Sequence, residues 1–560
     1  MTRWLAHPRL LRFLAAVSAA AILIVVAIYG WSDYVSDTVS AAQRDIPHTD
    51  VNPYGANFFL DLEVEAWKRE KTIQMAQAAG IGWAKQSFAW EAIEPKAKGR
   101  FVEGDGRSTW QKYDEMVDLF ARNGIQVIAR LDRPPAWSRA DNRYPQAPPD
   151  RFEDYGDFVY EFVNRYKGKI RYIQIWNEPN IFPEWGARAV SPAEYARLLK
   201  IAYTRAKEAD PNIVVLSAPL AMTLENFADR RNLSDLTFLE EMYRAGAKDS
   251  FDILSSNAFG FADPPTTPAD PDRLNFQRVT LQRAIMEAYG DSNKPIWFNE
   301  YGWNAAPSDF LEDDLTWKRV EEPQQAQYTV DGIRYARDNW PWAGVFNIWY
   351  FRQVGDKAPD RADYYFRMVD VDFTPRTMYK AVKDATALLK TAGDGHYEET
   401  SAPVATSGGW QMVLAPQASG GAYVNSDRPG ATLTFQFQGE AIDLLTSRGP
   451  EAGRCLVTVD GQPVAGLPRD ARGRSYIELY RGERQWQARD LVATGLGRGP
   501  HTLQLSIPEG PSEGAAGPRC SVDGFEVVAS RPSLPIGWLA LLLGVFMGAT
   551  GLLYARRRRI

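Results

Sequence analysis

Residues 172–180, Tyr-Ile-Gln-Ile-Trp-Asn-Glu-Pro-Asn, run from an apolar strand into a polar turn that carries one acid, Glu178. Residues 295–303, Pro-Ile-Trp-Phe-Asn-Glu-Tyr-Gly-Trp, repeat that plan, with Glu300 standing 122 positions beyond Glu178. Strands that are apolar at nearly every position suit a parallel sheet covered on both faces, whereas a half-exposed sheet demands alternation. Outward from this pair the same kind of run recurs at 56–60, 83–88, 126–131, 213–218, 251–259 and 344–351. Helical spacing separates the runs, for instance Tyr113, Met116, Val117 and Phe120, or Tyr155, Phe158, Val159, Phe162 and Val163. Gly80, Gly124 and Gly168 end helical runs, and Ser191-Pro192-Ala193-Glu194 reads as a capping box with proline in the first turn. Eight strand and helix units across residues 51–390 predict an α/β domain, a (β/α)8 TIM barrel with insertions. The rival is a doubly wound open sheet, but no G-x-G-x-x-G follows the first strand and no phosphate loop is present.

The chain has 560 residues, about four times the ~150-residue prior for one domain, so further units are expected. Its four histidines are His7, His48, His396 and His501, its two cysteines Cys455 and Cys520, and none lies between positions 49 and 395. The barrel region therefore has no Ser/His/Asp triad, no Cys/His pair and no His/Cys zinc cage. Carboxylates lead as the reactive groups, with no metal and no cofactor expected.

Residues 13–32 run for twenty positions without a charge, enough to cross a ~30 Å hydrocarbon core, and 532–555 form a second uncharged stretch. Both read as transmembrane helices. Arg3, Arg9 and Arg12 precede the first, and Arg556 to Arg559 follow the second, so the 1–12 segment and the basic tail 556–560 are expected in the cytoplasm. The expected placement is a two-pass protein of the cytoplasmic membrane with its folded body on the extracytoplasmic side. Removing those seven arginines from the formal net charge of −6 leaves −13 for the outer part, which disfavours nucleic acid as a partner. Outside the cytosol Cys455 and Cys520 become a disulfide candidate.

Residues 391–409 are rich in small and polar residues and read as a linker. Beyond them the period changes to two: Leu433, Phe435 and Phe437 alternate with Thr432, Thr434 and Gln436, and Leu503, Leu505 and Ile507 with Thr502, Gln504 and Ser506. This predicts a β-sandwich, jelly-roll-like, over 410–530. It resembles the galactose-binding-like sandwiches appended to carbohydrate enzymes; a spacer between barrel and membrane is the competing role.

Strand C-termini line the mouth of such a barrel, so Glu178 and Glu300 are expected to share one cleft. Cleaving a glycosidic bond needs two carboxyl groups, one to protonate the leaving oxygen and one to attack or to activate water. The plain alternative is that each glutamate is a solvated loop residue. Trp90, Trp137, Trp185, Trp303 and Trp349 also fall at or just after strand ends, where flat sugar faces stack on such rings; a core position is the alternative for each.

The Asn-Glu-Pro of 177–179 and the Glu-Tyr-Gly of 300–302 resemble the motifs of clan A retaining glycoside hydrolases, a group that includes cellulases, β-xylosidases and membrane-associated exopolysaccharide hydrolases. The 80–95 segment, with Trp90 and Glu94, is similar to the second-strand region of family 39. The resemblance covers residues 51–390. It implies Glu178 as acid/base, Glu300 as nucleophile and Asn177 as partner of the sugar 2-hydroxyl. Trp90, Trp137, Asn257, Tyr301, Trp303 and Trp349 are the further substrate-binding candidates. Two positions depart from the clan: Lys85 stands where arginine is common, and Asn257 with Phe259 where histidine and tyrosine are common.

The expected activity is thus membrane-anchored, retaining hydrolysis of a β-linked polysaccharide or oligosaccharide, with polysaccharide export machinery as a candidate partner. A transglycosylase on the same scaffold and a non-catalytic carbohydrate-binding or assembly protein are the alternatives.

Overall fold

The computed structural model describes residues 46–528 apart from 355–358, 390, 402, 408, 498, 511–513 and 516. Both stretches read as transmembrane helices, 13–32 and 532–555, lie outside the described residues. Within those residues no helix is long and apolar enough to cross a membrane.

Eight parallel strands form the first domain: β1 (Tyr54–Phe58), β2 (Trp83–Ser87), β3 (Gln126–Leu131), β4 (Tyr172–Ile175), β5 (Val214–Leu216), β6 (Leu254–Phe259), β7 (Ile296–Gly302) and β8 (Ala343–Ile348). Each overlaps a run read as a strand. They are hydrogen-bonded in the order β5-β4-β3-β2-β1-β8-β7-β6, so first and last strands are neighbours. The remaining seam, β5 to β6, is bridged at Leu216 and Ile253, where the Ser217 N–H donates to the Ile253 carbonyl at 3.1 Å. The sheet is a closed barrel.

Helices wrap it for the reasons their sequences give. In the Gln111–Arg122 helix, Tyr113, Met116, Val117 and Phe120 are buried, one stripe at spacing three and four. The Pro192–Ala209 helix starts where the Ser191 hydroxyl accepts from the Glu194 N–H at 3.2 Å. Gly80, at φ +73°, ends the Ala66–Ala78 helix in a left-handed turn that a side chain would strain.

Side chains pointing into the barrel form layers. Trp83, Ile128, Tyr172, Val214, Leu216, Ile253, Trp297 and Val345 make an apolar floor, with the Tyr172 and Trp297 rings stacked at 4.8 Å. Burying a side chain of this kind is worth ~1.5–3 kcal/mol, so the floor holds the base firmly. Its indoles bond to the incoming chain: Trp83 Nε1 donates to the Asn52 carbonyl and Trp297 Nε1 to the His48 carbonyl, both at 2.9 Å.

The second domain is a set of antiparallel sheets. Thr432–Gln438 pairs with Pro500–Ser506, and Ala441–Arg448 pairs with Gln485–Thr494 and Gly524–Val528. Leu433, Phe435 and Phe437 are buried as the period-two pattern requires, and Phe435 stacks on Phe525 of another sheet at 4.1 Å. Cys455 and Cys520 are bonded, with Cα atoms 5.2 Å apart. The stretch read as a linker is corrected here: Gly395–Glu398 and Val404–Ser407 are strands of this domain, paired to Gly524–Val528 and Thr432–Gln438. Both are four-residue, partly exposed edge strands, too short to write a pattern that separates strand from loop.

Candidate active site

Residues 176–180 leave β4 through an unusual backbone. Trp176 has φ +76° and Glu178 φ +41°, a region costing non-glycine residues about 1–3 kcal/mol each, held only where surroundings over-determine it. They do so here. The Trp176 N–H donates to the Leu131 carbonyl at 3.1 Å and the Glu178 N–H to the Pro219 carbonyl at 3.1 Å. Asn180, fully buried, clamps the turn by donating to the carbonyls of Ala221 and Leu233 and accepting from the Ala221 N–H.

On β7 the strand carries one extra residue. Ser256 and Asn257 of β6, adjacent to each other, pair with Phe298 and Glu300, which are not. A β-bulge of this kind re-aims side chains. Phe298 faces the helices and stacks on Phe346 at 3.9 Å, and Tyr301 faces them too, donating its hydroxyl to the Thr329 carbonyl at 2.7 Å. Between them both Asn299 and Glu300 turn inward: Asn299 Nδ2 donates to Asn257 Oδ1 at 2.9 Å, and Glu300 Oε1 lies 3.3 Å from Lys85 Nζ. The ladder groups disturbed by the bulge find buried amides, Asn57 donating to the Asn299 carbonyl and Asn347 to the Phe298 carbonyl, both at 3.0 Å.

The two glutamates differ in setting. Asn257 Nδ2 donates to Glu178 Oε1 at 2.6 Å. Glu178 keeps some surface open to the cleft, yet burial holds its pKa well above the usual carboxylate range, reinforced by the charges of Glu300 and Glu184 against the opposing pull of Lys85. Glu300 has a buried ammonium within ion-pair distance.

The other expected site residues divide. Asn177, buried, stands beside Glu178 with its Oδ1 unpartnered among the described residues. Trp137 and Trp349 keep exposed surface; Trp137 Nε1 donates to the Glu94 carbonyl at 2.8 Å, and the Trp349 ring meets the edge of Phe59 at 5.6 Å. Trp90, Tyr301 and Trp303, offered as substrate-binding residues, are corrected: all three are at most 1% exposed and belong to the helix-facing core. Trp90 stacks on Phe158, and Trp303 lies against Gly260, where a Cβ would come within 1.8 Å of its ring. Trp185 is likewise fully buried.

Three charged residues of the cleft went unnoticed in the sequence. Arg130 and Asp132, with Arg130 Nε and Asp132 Oδ2 3.0 Å apart, continue the inward alternation that starts at Ile128, which was the available signal. Glu184, on the loop after β4, has its pKa pushed up to about 7 by burial and by Asp132. Its position in a proline-flanked loop left no periodicity to read.

A cavity of about 350 Å³ lies at the opposite end, between the barrel base and the sandwich, lined among others by Arg171, Lys207, Asp252 and Pro416. Barrel bases serve stability, and this space is remote from the glutamates. Among the described residues no cluster of three or more His, Cys, Asp or Glu is arranged to hold a metal.

No family model matches the chain, and no curated protein matches it. Among solved structures it is similar to a family 39 glycoside hydrolase from the gut symbiont Bacteroides cellulosilyticus WH2, at 18% identity over 82% of this chain and 81% of that one, with a TM-score of 0.45. It is similar to the GH39 enzyme from Xanthomonas axonopodis pv. citri at 14% identity, covering 83% of this chain and 95% of that one, with a TM-score of 0.46. A monomeric beta-xylosidase from Caulobacter crescentus CB15 is similar at 12% identity, covering 83% of this chain and 97% of that one, with a TM-score of 0.44.

Proposed function

We propose that this protein is a retaining glycoside hydrolase that cleaves β-linked polysaccharide on the outer side of the cytoplasmic membrane, held there by residues 13–32 and 532–555. The observation that supports the chemistry is the unequal pair of acids at one barrel mouth, Glu178 pushed toward its neutral form and Glu300 set against the Lys85 ammonium. Glu178 protonates the glycosidic oxygen while Glu300 attacks the anomeric carbon, so the C–O bond to the leaving sugar breaks as the bond to Glu300 forms. Esterified, Glu300 no longer carries charge, and one cause of the raised Glu178 pKa disappears. Glu178, now ionised, takes a proton from water, whose oxygen displaces Glu300 and regenerates both groups. Asn177 bonds the 2-hydroxyl, and Trp137 and Trp349 offer ring surface to apolar sugar faces. The bonded cysteines of the sandwich favour the extracytoplasmic placement.

The test is a panel of β-linked glycans incubated with the full chain in detergent. Release of reducing ends from at least one glycan, abolished in Glu300→Gln, is the expected result; no release from any, or release unchanged in that variant, contradicts the proposal.

A further inference from the structure

Lys85 is the one charged residue of β2 that points into the barrel, one layer above the Trp83 floor. Its side chain is 2% exposed and its Nζ lies 3.3 Å from Glu300 Oε1. An ammonium has three donors, and among the described residues Lys85 has no second hydrogen-bond partner. The charged groups that face it are Glu300 from β7, Arg130 from β3 and Glu178 from the end of β4; Asn57 of β1, paired with it in register, is neutral. An amine so placed is held in its charged form chiefly by one carboxylate, against burial and a nearby guanidinium.

We propose that Lys85 is the positioning residue that holds the Glu300 carboxylate aimed and charge-balanced, and that loss of the Lys85 proton closes the alkaline side of the reaction. This rests on the reading of Glu300 as nucleophile. Burial pushes the Lys85 pKa down to about 8, with Arg130 adding to the effect and Glu300 opposing it. Once the amine is neutral, Glu300 loses its charged donor, and the cation that remains near it, Arg130, is already paired with Asp132, so the contact that aims the carboxylate and balances its charge is gone. An arginine at this position would not titrate in the same range, because a guanidinium stays charged. The competing origin of an alkaline limb is ionisation of Glu178, which Lys85→Arg would leave in place.

The test uses the full chain in detergent and an aryl β-glycoside that it turns over. kcat/KM of the wild type is expected to fall about tenfold per pH unit above pH 8. In Lys85→Arg the fall should begin at least about one unit higher, whatever the rate at neutral pH, and Lys85→Met should lose ~10²-fold or more throughout. In parallel, with 13Cε-lysine labelling, the Lys85 signal, identified by its absence in Lys85→Arg, should titrate near pH 8 and at lower pH in Glu300→Gln. An unmoved limb in Lys85→Arg, or a Lys85 signal that stays in its charged position through pH 10, overturns the proposal. No turnover of any glycoside, with the titration intact, removes the proposed function and this role with it; turnover with an unmoved limb removes this role alone.

Discussion

Glu178 and Glu300 have the same side chain and opposite neighbours, and that difference sets what each can do. Glu178 lies beside an amide and other acids, Glu300 beside an ammonium. Both Glu178→Gln and Glu300→Gln should cost ~10²- to 10⁴-fold in kcat on ordinary glycosides. They should part on aryl glycosides whose leaving group needs no proton: Glu178→Gln should recover its first step there, seen as a burst of released phenol, and Glu300→Gln should not. Glu184 offers a pH test that needs no substrate. Its folded-state pKa, about 7, exceeds its ordinary value of 4.5, so the folded chain binds this proton more tightly than the unfolded one. Stability from this group is full below 4.5 and is lost as pH rises toward 7. Glu184→Gln should flatten the decline of Tm across that window; an unchanged decline would show that Glu184 is not its source. That the two glutamates stand near one another at the barrel mouth was legible because each follows an apolar run at the C-terminal end of its strand, Glu178 just beyond β4 and Glu300 near the end of β7. Trp90, Tyr301 and Trp303 were misread because sequence position places a residue near a strand end without saying which face it takes. The bulge at Asn299 and Glu300, which alone decides that Glu300 and not Tyr301 turns inward, left no mark in the composition.

The segment after β6 depends on a buried ion pair. Arg278, 1% exposed, donates through Nε to both carboxylate oxygens of Asp235, which is fully buried, and through NH1 to the Pro271 carbonyl at 2.7 Å. Gln277 donates to the Pro265 carbonyl, Asn275 to that of Pro268 and Trp303 to that of Asp263. The proline-rich turn at 263–268 is thereby tied to the barrel from several sides. Asp235→Ala leaves the Arg278 charge buried and unpaired and should destabilise the domain by about 3–5 kcal/mol in equilibrium unfolding; a loss under 1 kcal/mol would mean the guanidinium finds water. All eight barrel strands were visible in the sequence because a sheet covered on both faces writes long apolar runs. Gly395–Glu398 and Val404–Ser407 were not, since four partly exposed edge residues carry too little pattern to separate strand from loop.

Across the whole molecule, the barrel and the sandwich are held by different means. The barrel closes on itself over an aromatic floor, whereas the sandwich adds a covalent tie between Cys455 and Cys520, 65 residues apart. Closing a loop of that length is worth roughly 4 kcal/mol in the chain-entropy model, so a Cys455→Ala, Cys520→Ala chain should lose up to about that much stability in the sandwich while the barrel transition stays in place. A loss shared by both transitions would mean that the domains unfold as one unit. The pairing was an expectation that two cysteines outside the cytosol make natural; the anchors at 13–32 and 532–555 remain part of the proposal.

The claim on which the account depends is double displacement at Glu300, with Glu178 giving and then retrieving one proton. Proton NMR of the first-formed product, recorded before mutarotation while a β-linked substrate is hydrolysed, tests it most directly. The account predicts that the β-anomer appears first, because two inversions at the same carbon restore its configuration. A product that appears first as the α-anomer would contradict it.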